Sequence, residues 1–186
     1  MNEMVASPKI RSFRFLALAA LIVSLAATNA ASAQKGKKPP PPPPPPKKTV
    51  ELEPARQERH LEEAAVLLQA YVLLAGANAT YEGYRGKAMK EVANAFNQLG
   101  RQVLEKGTPK QKALALELSK NLRAAQLAAG NAPSVHEDQL VSDAQMDQAK
   151  TQLIKLRDVL AKHKQKGILD KVNGAVGQIE AALKVN

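Results

Sequence analysis

From Val50 onward, apolar residues recur at intervals of three and four, and no stretch alternates with the period of two that a half-buried strand requires. The pattern predicts helices throughout. A first helix is expected from about Pro54 to Ala75. Pro54 suits the first turn, where its missing amide would have no helical partner. Glu58, Glu62 and Glu63 fall toward the positive end of that helix's dipole. Between Ala64 and Ala77 the only polar residue before Gly76 is Gln69, and a helix apolar all round belongs at the buried centre of a bundle.

A second helix is predicted from about Thr80 to Glu105, with Gly107 just past its end. Met89, Val92, Ala95, Phe96 and Leu99 mark its inner face. Thr108-Pro109 reads as an N-cap and first-turn proline opening a third helix, which is expected to stop near Ala129 at Gly130. Residues 130–141 read as a loop. Ser142, with Gln145 three residues on, has the form of a capping box and sets the expected start of a fourth helix. Its stripe is Met146, Ala149, Leu153, Leu156 and Leu160. A basic turn, Lys162 to Lys166, leads to a fifth helix from about Ile168 to Val185, with Leu169, Val172, Ala175, Val176, Ile179 and Leu183 inward. The expected fold is all-α, an up-and-down bundle of four to five helices.

The stripes of the first and fourth helices match at an offset of 85 residues, and those of the second and fifth at an offset of 80. All ten aligned pairs are apolar. Two related helical hairpins joined by a linker helix would give this pattern, and so would any two amphipathic hairpins slid into register.

The region before Val50 has another character. Lys9, Arg11 and Arg14 precede an apolar run from Phe15 to Ala27, and Ala31-Ser32-Ala33 follows. That order predicts a signal peptide over residues 1–33, removed on export to the periplasm or outside the cell. The run is about 13 residues, short of the roughly 20 that span a bilayer, and no second one follows. Residues 34–48 then place eight prolines between lysines: Lys35, Lys37 and Lys38 before them, Lys47 and Lys48 after. Polyproline is a stiff, solvated helix, here reaching roughly 25 Å. The plainest reading is a spacer for the domain 49–186. A cationic arm for an anionic polymer and a proline-rich ligand for an aromatic groove are the sharper ones.

The chain of 186 residues has no cysteine, which excludes disulfides, thiol nucleophiles and cysteine metal sites. Its net charge of +10 is uneven. Residues 34–48 carry +5 and the 138 residues of the domain only +3, so the basic character sits mainly in the arm.

One motif carries a resemblance. Tyr81-Glu-Gly83-Tyr84-Arg85-Gly-Lys-Ala88-Met89 resembles a pattern found in small exported all-helical bacterial proteins of unknown function, roughly Asp-His-Asp-Tyr-x-Gly-His-Arg followed by Ala-Met. Tyr81, Gly83, Arg85, Ala88 and Met89 match it, and the similarity runs through most of residues 61–185. The resemblance implies a helical, exported protein and no particular activity. Asn78, Ala79, Thr80 and Tyr84 stand where that pattern has acidic residues and histidines. If relatives hold a metal there, this donor set is poorly suited to it.

Little else suggests chemistry. His60, His136 and His163 are far apart, and only His136 adjoins two carboxylates, Glu137 and Asp138. His163, between two lysines at a helix end, reads as a C-terminal cap. No H-E-x-x-H occurs, and Gly83-Tyr-Arg-Gly86-Lys87 lacks the spacing and the strand of a phosphate loop. Gly174-Ala-Val-Gly177 inside a helix reads as close helix packing. Tyr71, Tyr81, Tyr84 and Phe96 are too few for a nucleic-acid stacking platform. The best candidate for partner contact is the set Tyr81, Tyr84 and Arg85, expected on one face at the start of the second helix. The alternative is that the two rings brace the hairpin and Arg85 caps a carbonyl.

The sequence thus reads as a non-enzymatic exported module without a cofactor. Its expected partners are an anionic envelope polymer, reached by Lys35, Lys37, Lys38, Lys47 and Lys48, or another envelope protein. The apolar first helix finds its cover within one chain or across a homodimer. A small-ligand or metal-binding bundle is the second reading, and polar core residues unexplained by capping would favour it.

Overall fold

The computed structural model describes residues 52–78, 81, 83–131 and 138–185. The segments 1–33 and 34–48, with all five lysines of the arm, lie outside the described residues, as do Ala79, Thr80, His136 and Glu137. Five helices form: α1 (Glu53–Gly76), α2 (Tyr84–Lys106), α3 (Pro109–Asn131), α4 (Gln139–Lys162) and α5 (Lys166–Ala182). The described residues contain no strand.

Local chemistry sets the helix ends. Gly83 takes a left-handed backbone (φ 79°), which breaks any helix running through it, so α2 begins at Tyr84 rather than at Thr80. Thr108 and Gln111 form a reciprocal capping box at the start of α3, Thr108 Oγ1 accepting from the Gln111 amide and Gln111 Oε1 from the Thr108 amide. That helix continues through Gly130 instead of stopping there. The start of α4 also differs from expectation. Asp138 is its N-cap, accepting from the Leu140 amide, and Ser142 lies inside the helix, fully buried. His163 is the C-cap residue of α4, and Lys164 takes the left-handed turn (φ 56°) into α5.

Helices α1, α2, α5 and α4 pack in a ring, each against the next and α4 back against α1. Contacts at both ends set the directions. Asn78 after α1 meets Ser142 near the start of α4, and Glu63 in the first half of α1 meets Gln165 after α4, so the two run antiparallel. The core holds Leu67, Leu74, Phe96, Leu99, Leu153, Leu160 and Ile179, all essentially without exposure. The expected stripe of α4 is buried throughout.

Helix α3 lies outside this ring. It packs on α1 and α2 and, among the described residues, on neither α4 nor α5. It buries only Ala115 and Leu122, while Leu114, Leu116 and Leu127 stay exposed. The apolar circumference of α1 is explained by its three neighbours, α2, α3 and α4. Its coverage is incomplete, with Val72 half-exposed, and its first half buries Gln57, His60 and Glu63, which the apolar pattern did not foretell.

The glycines divide by what surrounds them. A Cβ at Gly107 would stand 2.5 Å from the Val103 carbonyl oxygen, so the chain can leave α2 here only without a side chain. A Cβ at Gly174 would meet Glu91 at ordinary contact distance, whereas one at Gly177 would meet nothing within 4 Å, so close packing does not account for Gly177. Gly107→Ala should lower stability by about 1–3 kcal/mol through that clash. Gly177→Ala should raise it by about 0.5–1 kcal/mol through helix propensity alone. Urea unfolding of both variants checks this, and equal midpoints would contradict it.

Candidate functional site

The three residues expected on one helix face have separate surroundings. Tyr81 lies in the turn before α2 and is fully buried. Tyr84, the first residue of α2, is half-buried against the core, with the Lys87 ammonium 5.1 Å from its ring centre. Arg85 is half-buried and donates to the carbonyl oxygens of Leu74, Ala75 and Ala77 at 3.3, 3.2 and 2.6 Å. Helix α1 has no basic residue in its last turn, so Arg85 of the next helix supplies the cation at the negative end of its dipole. Burial pulls the Arg85 guanidinium below its ordinary pKa, but it stays protonated at any physiological pH.

Tyr81 joins the first hairpin to α4. Its hydroxyl oxygen lies 2.8 Å from both Ser142 Oγ and Asp143 Oδ1. The hydroxyl has one proton, and the charged carboxylate is the stronger acceptor. Tyr81 therefore donates to Asp143, and the Ser142 hydroxyl can donate to the Tyr81 oxygen in turn. Ser142 Oγ also accepts from the Asn78 amide at 2.6 Å, and Gln139 Nε2 donates to Asp143 at 2.9 Å. Burial pushes the Tyr81 hydroxyl above its ordinary pKa, and the Asp143 carboxylate adds to the rise against the opposing pull of Ser142. Held protonated between fixed partners, it acts as a brace.

A second polar tie closes the opposite end. Glu63 is almost fully buried and accepts from Gln165 Nε2 at 3.2 and 3.1 Å through its two oxygens, and from Arg59 at 3.2 Å. Burial pushes its carboxyl above the usual range, while the Gln165 bond, the Arg59 cation and, more weakly, His163 pull the other way. Gln57, six residues earlier on α1, is fully buried and donates to Glu53, with its carbonyl oxygen unmatched.

Two open clefts lie along the α2–α3 face. The larger, about 370 Å³, is lined by Gly86, Lys90, Ala93, Asn94 and Asn97 of α2, with Gln126 of α3 opposite and Tyr71 and Met89 beneath. The smaller, about 240 Å³, continues from Asn97 to Gly100, Arg101 and Leu104, facing Ser119. Residues 84–131, which form these two helices and their connection, hold nine Lys and Arg against three Glu, a net of +6. The domain's small overall charge conceals this concentration. A windowed charge count would have found it, but the groove depends on how α3 lies against α2.

Among the described residues, no three His, Asp or Glu side chains stand together as metal ligands. No described helix is long and apolar enough to cross a membrane. Comparison of the chain with protein-family models, with characterised proteins and with solved structures gives no match. The functional reading therefore rests on the chain's own chemistry.

Tyr81→Phe should cost about 1–3 kcal/mol, because it strips a buried partner from Ser142 and Asp143. Tyr84→Phe should stay within about 0.5 kcal/mol. Equal losses in urea unfolding would contradict the brace. Glu63 makes a pH-dependent contribution. Its native pKa lies above that of the unfolded chain, so the native state binds more protons in the interval between them, and stability falls as pH rises through that interval. Unfolding free energies measured from below the usual carboxylate range up to neutrality should show wild type losing stability relative to Glu63→Gln. Parallel pH profiles would contradict it.

Proposed function

We propose that the protein is an exported, non-enzymatic binding or structural module of the cell envelope, a helical bundle carried on a cationic polyproline arm. The observation that carries this reading is the use made of the buried polar groups. Tyr81, Ser142 and Asp143 fix one end of the bundle, and Glu63 with Gln165 fixes the other. Groups so committed are scaffold chemistry. The order of basic segment, apolar run and Ala31-Ser32-Ala33 supports export, and the five lysines around the prolines support contact with an anionic envelope polymer. Another envelope protein remains the alternative partner.

A second reading has one specific observation in its favour. Gln57 and His60 form a short buried polar row on α1 that helix capping does not explain. Such a row suits a bundle that holds a small polar ligand between facing helices.

Co-sedimentation with isolated envelope material tests the proposal. Residues 34–186 should sediment at low salt and be released at high salt, because contacts between lysines and a polyanion are screened. Residues 49–186 report whether the bundle contributes. If neither form sediments at any salt, the envelope reading fails and the small-ligand reading replaces it.

A further inference from the structure

We infer that the groove between α2 and α3 is a track for an extended acidic polysaccharide. The inference rests on the envelope-binding reading and assigns the bundle its own site, separate from the lysine–proline arm.

The groove has the dimensions and chemistry of such a track. Lys90, Asn94, Asn97 and Arg101 stand at i, i+4, i+7 and i+11 on α2, which makes them one stripe along the helix. Its two cations are about 16 Å apart along the axis, enough to meet successive charges of a linear chain. Ser119 and Gln126 of α3 line the opposite wall. Arg123, four residues beyond Ser119 and three before Gln126, lines neither cleft but shares that side of α3 by helical spacing and is exposed. Among the described residues, no carboxylate lines either cleft. The polar groups of the lining are two cations, Lys90 and Arg101, with the amides of Asn94, Asn97 and Gln126 and the Ser119 hydroxyl between and opposite them, a set that suits carboxylates spaced among sugar hydroxyls.

The glycines of α2 give independent support. Gly86 and Gly100 lie within the helix, where glycine is unfavourable. Neither has a positive φ, and a Cβ at either would meet nothing within 4 Å. Packing and backbone geometry thus leave both unexplained. Each lines one of the clefts, where a side chain would stand in the groove. Single-stranded nucleic acid fits less well, because among the described residues the one aromatic lining the clefts is Tyr71, which is buried and offers no ring for base stacking.

The test uses residues 49–186, which form one unit with residue 48 and lack the arm. Binding to polygalacturonate is measured against its neutral methyl ester, an oligothymidylate and phosphatidylglycerol vesicles. Polygalacturonate should bind in a salt-dependent manner and the ester should not. The triple variant Lys90→Ala, Arg101→Ala, Arg123→Ala should weaken binding about tenfold or more. A control of equal charge change, Lys155→Ala, Lys162→Ala, Lys184→Ala on α4 and after α5, should shift it less than about twofold. Gly100→Gln fills the groove without altering charge and should also weaken binding, with the helical melting curve confirming the fold. Equal losses in the two triples, unchanged binding by Gly100→Gln, or tighter binding of oligothymidylate or vesicles would each overturn the inference. If residues 34–186 sediment with envelope material while residues 49–186 ignore polygalacturonate, the groove fails and the envelope reading stands. If the longer form does not sediment either, both fail.

Discussion

The bundle depends on the junction where α1 ends and α4 begins. Apolar stripes supply most of the driving force for packing, but Leu, Ala and Val faces do not by themselves fix how far one helix slides along another. Buried hydrogen bonds do, because a misplaced partner leaves a desolvated polar group unpaired. Tyr81 reaches across 61 residues of sequence to Ser142, and the Asn78 amide meets the same hydroxyl. Arg85 binds three carbonyl oxygens on the same bend, so the end of α1 is closed by the helix that follows it. The contact of Glu63 with Gln165 fixes the far end of the same pair of helices. Pinned at two points, α1 and α4 have one register.

That arrangement decides what remains for binding. The faces of α2 toward α1 and α5 are used in the ring, and Glu91 pairs across to Lys171 of α5. Helix α3 covers only part of the remaining side. The outward stripe of α2, with its cations and amides, is left beside a neighbour that does not fill the space. The same placement that makes α3 a loose member of the core makes the groove.

The helices are legible in the sequence because α2, α4 and α5 carry apolar stripes at helical spacing, α1 a long apolar run, and α3 a cap and first-turn proline at its start. Structure and sequence pattern part where a local signal has two meanings. Ser142 with Gln145 has the form of a capping box, yet Asp138 caps the helix and Ser142 is a buried acceptor. The spacing of Tyr81, Tyr84 and Arg85 implies one face only if a helix runs through all three, and Gly83 prevents that. Gly83 was itself the readable warning. Glu63 reads locally as a carboxylate toward the positive end of a helix dipole, and its partner Gln165 stands 102 positions away, beyond any local pattern. The +6 of residues 84–131 was visible as a number, but its meaning came only with the groove.

Helix α3 carries one more consequence. Because, among the described residues, it packs on α1 and α2 alone and buries little, its detachment leaves the ring of α1, α2, α5 and α4 closed. Cooperative opening need not be global in such a design. The expected consequence is a tier of structure whose amides would exchange with solvent through a partial unfolding, below the free energy of complete unfolding. A groove wall made from that tier can yield to the width of what lies in it without disturbing the junction that holds the other four helices.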